Sequence, residues 1–182
     1  MTAPRPLRAD AQRNRDKLIA VALKAFFTDG DVTLEAIAKE AGVGIGTLYR
    51  HFPTREALVE AVYRTELARL CDAVPELLGS LPPDQATRAW MDRFVDYMAT
   101  KQGMADALKA VIASGGNPYA QSRDLLIEAM TTLLDAGKGT LRADLDPMDV
   151  LGTLSGIALA AGKVGLAGGM LDLLMDGLRY RA

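Results

Sequence analysis

The sequence has almost no cysteine or histidine, and each shortage excludes a kind of chemistry. Cys71 is the single cysteine among 182 residues, so an intramolecular disulfide is excluded and a reducing compartment is indicated. With no second thiol and no basic pair beside it, Cys71 is better explained as a small buried apolar residue than as a redox sensor. His51 is the single histidine, which excludes a multi-histidine metal site and a histidine-based catalytic triad. We therefore expect no metal and no cofactor.

The sequence also lacks long apolar runs and the alternating pattern of β-strands. No uninterrupted apolar stretch approaches the roughly 20 residues that a membrane-spanning helix requires, and residues 1–15 are basic and polar. We therefore expect a cytoplasmic protein with no membrane partner. Apolar residues recur with a 3.6-residue period, which predicts an all-α fold of about nine helices. The predicted helices span residues 10–28, 34–41, 45–51, 55–73, 84–101, 104–114, 118–136, 147–166 and 169–180.

The capping and turn residues set these predicted boundaries. Thr33, Thr54 and Asp146 are suitable N-caps, and Pro118 and Pro147 suit the first position of a helix. Three other residues are predicted to end helices: Gly30, Gly42 and, for the fourth helix, Pro75.

The chain as a whole has no excess of positive charge, but its first third does. The net charge of −2 argues against a simple basic nucleic-acid-binding protein. Residues 1–55 nevertheless carry nine Lys and Arg against six Asp and Glu, and the remainder has a net charge of −5. This asymmetry is expected when one end of a protein meets a polyanion and the other does not.

Residues 33–52 have the pattern of a helix-turn-helix. Ala38 is small enough for two helices to cross closely, and Gly42 adopts the positive φ of a tight turn without a Cβ clash. Leu48 fills the angle between the two helices. Such a crossing exposes the second helix, residues 45–51, so that its N-terminal turn can enter the DNA major groove.

The chain resembles the TetR family of bacterial one-component regulators, most closely over residues 33–63 and in the run GTLYRHFPTREAL at residues 46–58. The resemblance implies a three-helix DNA-binding head over residues 1–55, and a helical ligand-binding and dimerisation domain over residues 56–182. The helix at 55–73 would connect them. It further implies a homodimer on a pseudo-palindromic operator in double-stranded DNA, acting at the nucleoid. In that case the protein is a repressor that a small, largely apolar effector releases.

The resemblance assigns DNA contacts to the head. The candidate DNA-contacting residues are Arg13, Arg15, Thr33, Ile45, Gly46, Thr47, Tyr49, Arg50, His51 and Arg55. Of these, Ile45, Gly46 and Arg50 face the groove. Arg50 is suited to a bidentate contact with guanine, and Ile45 to packing on a thymine methyl. For Arg13 and Arg15, solvated surface charge is the alternative role.

The remaining candidates are expected to contact the sugar-phosphate backbone. Thr47 and Tyr49 lie where family members contact a phosphate or a base edge, and His51 and Arg55 lie where they contact the backbone. Thr33 can offer its hydroxyl and N–H to a phosphate at the positive end of its helix. Gly44 departs from the family, because many members place Ser there as N-cap and phosphate contact.

Methionine and aromatic residues recur at helical spacing in the second domain. They indicate either ordinary core packing or an adaptable apolar cavity for a ligand. The candidate ligand-binding residues are Trp90, Phe94, Tyr97, Met98, Met104, Leu108, Tyr119, Leu126 and Met130. The candidate polar anchors are Asp96, Lys109, Asn117 and Ser155.

The last two predicted helices have apolar faces that a monomer would leave exposed. The resemblance implies that they pair with their copies in a two-fold four-helix bundle. Burial of the same residues within one chain is the alternative. The candidate dimer-interface residues are Leu151, Leu154, Ala158, Ala161, Leu171, Leu174 and Leu178. The glycines expected to allow close approach are Gly152, Gly156, Gly162 and Gly165.

Two other functions remain as alternatives. A DNA-binding protein of the same fold without an effector, acting as an activator or architecturally, predicts a second domain without a cavity. A helical-domain enzyme would need a nucleophile–base pair, a metal cluster or a cofactor loop, and none is visible in the sequence. We therefore predict no catalytic residue and no enzymatic activity.

Overall fold

A computed structural model describes residues 5–28, 32–161 and 167–179 of the chain. These residues form nine α-helices and no strand, which confirms the predicted fold class. The predicted helix stop at Gly30, the glycines at 162 and 165, and the predicted helix end at 180 lie outside the described residues. The helices are α1 (Arg5–Thr28), α2 (Leu34–Glu40), α3 (Ile45–His51), α4 (Arg55–Ser80), α5 (Pro83–Gly103), α6 (Ala105–Ala113), α7 (Ser122–Ala136), α8 (Pro147–Ala161) and α9 (Ala167–Leu178).

The chain divides into two compact units. The first contains Met1–Thr65 and Gly103–Pro118, and the second contains Glu66–Gln102 and Tyr119–Ala182. Helix α6 therefore belongs to the same unit as α1, α2 and α3, although it follows them by more than 50 residues. Helix α4 begins in the first unit and ends in the second.

The first unit has a core built from α1, α2 and α3, which pack on one another. Leu18 and Phe26 of α1, Ile37 of α2 and Leu48 of α3 are fully buried in it. Burying each of these side chains contributes about 1.5–3 kcal/mol, so the hydrophobic core holds even the seven-residue helix α3 in place.

The turn between α2 and α3 has the geometry that the sequence predicts. The N–H of Val43 donates to the carbonyl of Ala38 at 2.9 Å, and that of Gly42 to Lys39 at 3.1 Å. These two bonds form a Schellman motif, in which the residue after the C-cap adopts a left-handed conformation. Gly42 does so with φ 66°. The predicted cap at Thr33 is also confirmed, because its Oγ1 accepts the N–H of Ala36 at 3.2 Å.

Helix α4 is longer than predicted, so the predicted end of this helix was wrong. It does not end before Pro75 but contains that residue and continues to Ser80. A proline inside a helix removes one hydrogen bond and costs about 3 kcal/mol. Pro75 is exposed, whereas Val74 and Leu77 beside it are buried. Burial of this apolar face offsets the cost of the proline. The predicted N-cap at the other end, Thr54, accepts the N–H of Ala57 at 3.1 Å.

Helix α7 begins four residues later than predicted, and α8 begins where predicted. Pro118 is not the first residue of α7 but lies buried in a turn, and Gln121 with φ 66° separates that turn from the helix. The fixed φ of proline suits a turn as well as a helix start, so the sequence did not distinguish them. Asp146 caps α8 as predicted, because its Oδ1 accepts the N–H of Met148 at 2.6 Å.

The second unit is held together by both apolar packing and ion pairs. Helix α8 packs on α7 and on α9. Arg88 of α5 links to α9 through Asp172, with Nε and Oδ1 2.8 Å apart. In α5, the Nε1 of Trp90 donates to the carbonyl of Leu70 in α4 at 2.9 Å. These contacts fix α5 between α4 and α9.

Candidate DNA-binding interface

Helix α3 presents one face to solvent and one to the core. Ile45 and Tyr49, one turn apart, are 39% and 45% exposed, whereas Leu48 is completely buried. Ordinary packing buries large apolar side chains, so an exposed Ile–Tyr pair on a short helix marks a surface available for a partner. The structure thus places the predicted recognition helix on the outside of the head.

Arg50 lies along its own helix rather than pointing away from it. Its Nε donates to the carbonyl of Gly46 at 3.1 Å, and its Nη2 donates to Oγ1 of Thr47 at 3.3 Å. Both bonds are exposed to solvent, so each contributes little, and exchanging them for contacts to a base edge is inexpensive. The candidate DNA-contacting residues Gly46, Thr47 and Arg50 therefore form one hydrogen-bonded cluster, in which Gly46 and Arg50 are exposed and Thr47 is half-buried.

Two of the predicted phosphate-contacting arginines are stacked on buried aromatic rings of the head. The guanidinium carbon of Arg15 lies 5.6 Å from the ring centre of Phe52, and that of Arg55 lies 4.8 Å from the ring centre of Phe26. Arg55 also donates from Nη1 to the carbonyl of Val32. Cation–π contacts of this kind contribute about 0.5–2 kcal/mol. Both arginines therefore stabilise the head as well as being candidates for phosphate contacts.

The other three residues predicted to contact the sugar-phosphate backbone of DNA differ in how accessible they are. Arg13 is exposed and pairs with Asp10 one turn earlier. The Oγ1 of Thr33 is used as an acceptor in capping α2, so its hydroxyl proton remains available for an anion. His51 is half-buried, with its ring centre 6.1 Å from that of Phe52. The DNA roles of these residues stay predictions.

Two glycines in the turn before α3 allow a matched test of the head. Gly42 has φ 66°, and Gly44 has φ −63° with ψ 140°, although a Cβ on either would meet no atom within 4 Å. We expect Gly42→Ser to lower the free energy of unfolding by about 1–2 kcal/mol, because a left-handed conformation is unfavourable for serine. Gly44→Ser is expected to raise it by a few tenths of a kcal/mol, since serine is a better N-cap. Urea denaturation followed by circular dichroism measures both, and equal destabilisation by the two changes would contradict this account.

The predicted ligand-binding residues are mostly packed in the core. Trp90, Phe94 and Met130 are buried in the second unit, whereas Met104 and Leu108 are buried in the first. The half-buried ring of Tyr119 is covered by Lys101, whose Nζ lies 4.5 Å from the ring centre. Desolvation lowers the pKa of that lysine. Met98 and Leu126 are half-buried. Their ligand role stays a prediction, but core packing accounts for most of the set.

The second unit contains a cavity that sequence reasoning largely missed. It lies between α4 and α5 and has a volume of about 230 Å³. We call it the α4–α5 cleft, and its lining residues are Glu66, Arg69, Leu70, Arg93, Asp96, Tyr97 and Thr100. Only Tyr97 and the proposed polar anchor Asp96 were predicted. Four of its seven lining residues are charged. The only sequence signal for the cleft was therefore a set of charged residues at helical spacing on two helices, a pattern that is also typical of a solvated surface.

The predicted dimer-interface residues are mostly buried within the single chain, and their interface role stays a prediction. Six of the seven are buried within a single chain, and Leu174 is half-buried. The exposed residues of α8 and α9 lie one face away, with Leu159 58% and Leu173 74% exposed. We call this surface the outer α8–α9 face, and its residues are Gly152, Gly156, Leu159, Gly169, Leu173 and Gly177. The burial of the original set agrees with the alternative given above, packing within one chain.

Cys71 has the environment of a packing residue. It is half-buried, and its Sγ lies 3.8 Å from the carbonyl oxygen of Leu125, to which it donates. Burial, with smaller contributions from Asp72 and Glu128, raises the pKa of the Cys71 thiol to about 11. Thiolate is the reactive form of cysteine, so raising the pKa from 9.0 to about 11 lowers the thiolate fraction about a hundredfold at pH 8.

We expect iodoacetamide to alkylate Cys71 about a hundredfold more slowly than an unstructured cysteine peptide. A rate within tenfold of the peptide would refute the assignment.

The described part of the chain has neither a metal-binding cluster nor a helix that could span a membrane. No group of three or more His, Cys, Asp or Glu side chains there is placed to hold a metal ion. Nor is any of the helices α1 to α9, as described, long and apolar enough to cross a bilayer.

Comparison with known proteins agrees with this geometry. Residues 18–62 match the family described as "Bacterial regulatory proteins, tetR family", and residues 82–180 match "Transcriptional regulator SbtR-like, C-terminal domain". An HTH-type transcriptional regulator of Staphylococcus aureus is 40% identical over 63 residues. That match covers 34% of each protein, so it spans only about a third of the curated relative.

Two crystal structures match over almost the whole chain. A TetR transcriptional regulator from Streptomyces coelicolor is 55% identical with a TM-score of 0.86, over 92% of this chain and 99% of that one. A TetR regulatory protein from Mycobacterium vanbaalenii is 34% identical with a TM-score of 0.79, over 96% and 100%. Together with the exposed helix-turn-helix, these matches show that the chain belongs to the TetR family of bacterial transcriptional regulators.

Proposed function

We propose that this protein is a homodimeric repressor that binds a pseudo-palindromic operator through α3 and leaves it when a small effector binds the second unit. The observation that carries the DNA-binding part is the exposed Ile45–Tyr49 face on a helix whose other side is anchored by the buried Leu48. A rigid, exposed helix of two turns is the element that a helix-turn-helix protein inserts into a major groove. Such a protein acts in the cytoplasm, at the nucleoid.

The outer α8–α9 face supports the proposal that the protein is a homodimer. Leu159 and Leu173 are the most exposed large apolar residues in the described chain, and each has glycines one turn away on the same helix. A Cβ on Gly156 or Gly169 would meet no atom within 4 Å, so these positions face open space. An apolar face with small residues suits close packing of helices across a two-fold axis.

The α4–α5 cleft supports the proposal that an effector binds the second unit. A binding protein with the same fold but no effector, the alternative activator or architectural role, predicts no cavity in the second unit. A cavity of about 230 Å³ is present there. For release, the effector must bind the DNA-competent and DNA-incompetent conformers unequally.

In vitro selection of bound DNA with the purified full chain tests the operator part of the proposal. Two recognition helices of one dimer require half-sites separated by about one helical turn of DNA, roughly 34–36 Å or slightly more. We expect the recovered sequences to be pseudo-palindromic with that separation. Recovery of single half-sites, or of no enriched sequence, would overturn the proposed dimeric operator complex.

Arg50 and Arg55 are expected to contribute to DNA binding in different ways. Arg50→Ala should relax the preference at particular operator positions, because Arg50 is the candidate base contact. Arg55→Ala should weaken binding almost uniformly across sequences and lower the salt slope by about one unit. It should also destabilise the head, since its contacts with Phe26 and Val32 are lost. Fluorescence anisotropy with operator variants at several salt concentrations separates the two, and identical behaviour would contradict this division.

A further inference from the structure

Two polar groups of the α4–α5 cleft have no partner among the described residues. The half-buried Thr100 makes no hydrogen bond within the described residues, and Asp96, which is exposed and lies one turn earlier on α5, has neither a hydrogen bond nor an ion pair among them. By contrast, Thr87 of the same helix donates to the carbonyl of Pro83 at 2.8 Å, the usual bond for a helical threonine. A carboxylate and a hydroxyl at i and i+4 lie on one helix face and can bind one ligand group together.

The opposite charge is supplied by two arginines of the same cleft. Arg69 pairs with Glu66 through a single contact of 2.5 Å, and Arg93 reaches Glu76 at 3.4 Å. Each guanidinium has five N–H donors, so one contact leaves donors for an incoming anion. The lining therefore holds two cationic and two anionic side chains, a set with no net charge.

The size and floor of the cleft restrict what it can accept. Leu70 and Tyr97 are buried and form its apolar floor. Its volume of about 230 Å³ lies below the roughly 300–1,000 Å³ typical of pockets for drug-sized ligands. A ligand that fits is small, has a short apolar middle, and carries one charge of each sign at its ends.

We propose that the α4–α5 cleft binds a small zwitterion, with its ammonium group on Asp96 and Thr100 and its carboxylate on Arg93 and Arg69. A singly charged ligand would make only one of these two sets of contacts, so it binds less tightly. The inference names the effector class of the proposed repressor and rests on that proposal.

Isothermal titration calorimetry of the full chain with four six-carbon probes tests whether the cleft prefers a zwitterion. The probes are 6-aminohexanoate, hexanoate, hexylamine and 1-hexanol, which share a chain and differ only in their end groups. We expect 6-aminohexanoate to bind at least about tenfold more tightly than each of the others, because it alone satisfies both charge sets. Two outcomes would overturn the proposal. One is equal binding of all four probes, and the other is no detectable binding of 6-aminohexanoate at about 10 mM, roughly the weak limit of specific recognition.

Three variants test the assigned contacts. Asp96→Asn should weaken 6-aminohexanoate and hexylamine about tenfold and leave hexanoate unchanged, since only the ammonium contact is removed. Arg93→Gln should weaken 6-aminohexanoate and hexanoate and leave hexylamine unchanged. Asp72→Asn is the matched control, because Asp72 is an exposed residue of α4 outside the cleft. If Asp96→Asn and Asp72→Asn give the same affinities, the assigned site is wrong.

Operator binding is measured separately, by fluorescence anisotropy with the selected DNA. Tight 6-aminohexanoate binding without any effect on DNA affinity keeps the cleft as a zwitterion site and refutes the release step of the proposed function. Release from DNA by another small molecule, with no 6-aminohexanoate binding, keeps the repressor and refutes the zwitterion site.

Discussion

Replacing Leu159 and Leu173 together by glutamate should convert the protein from a dimer to a monomer. Both side chains lie on the outer α8–α9 face and are 58% and 74% exposed, so the substitutions leave the core of a single chain intact. In the proposed dimer, the new carboxylates would be buried against their two-fold copies, where like charges repel and lose hydration. Sedimentation velocity should show a single species of about half the original mass.

Loss of the dimer should also lower operator affinity by about a hundredfold or more. Two linked half-site contacts gain from effective concentration, typically by about 10²–10⁴, and a monomer loses that gain. Leu125→Glu is the matched control, because Leu125 is also exposed but lies on α7, outside this face. A double variant that remains dimeric would show that the pairing surface is elsewhere.

Truncating Trp90 should produce the largest loss of stability of any single change in the second unit. The indole is completely buried, its ring centre lies 5.6 Å from that of Phe94, and its Nε1 donates to the carbonyl of Leu70. Trp90→Ala is expected to lower the free energy of unfolding by about 3–5 kcal/mol, through lost burial and the cavity left behind. A residue that merely lined a ligand cavity would cost much less to truncate.

Urea denaturation should be followed by far-ultraviolet circular dichroism, because Trp90 is the only tryptophan and its variant has no indole fluorescence. Leu125→Ala, at an exposed position in the same unit, should change the free energy of unfolding by less than about 1 kcal/mol. A loss below about 1 kcal/mol for Trp90→Ala would instead favour the ligand-lining role that the sequence suggested.

The head was predictable because its signals are local. The cap at Thr33, the positive φ at Gly42 and the burial of Leu48 each depend on residues only a few positions apart. Local hydrogen bonds and steric limits act on the chain wherever it folds, so the pattern of residues 33–52 suffices to place α2, the turn and α3. The same locality explains why the start of α8 after Asp146 was correct.

The errors came where distant packing overruled a local preference. Pro75 should end a helix by its own chemistry, yet buried residues on either side carry α4 through it. Pro118 suits a helix start and a turn equally, and its burial in the first unit accompanies the turn. Periodicity alone gives the apolar face of a helix but not what covers it.

The sequence by itself determined that the protein is all-α, where α2, α3 and α8 begin, and that it carries a helix-turn-helix with Tyr49 and Arg50 on the second helix. Only the tertiary structure decided which apolar residues face inward. It buried Leu154, Leu171 and Trp90 within the chain and left Leu159 and Leu173 outside. The physical reason is that capping and turn geometry are properties of neighbouring residues, whereas burial depends on which helices meet, and that is settled by contacts between residues far apart in the chain.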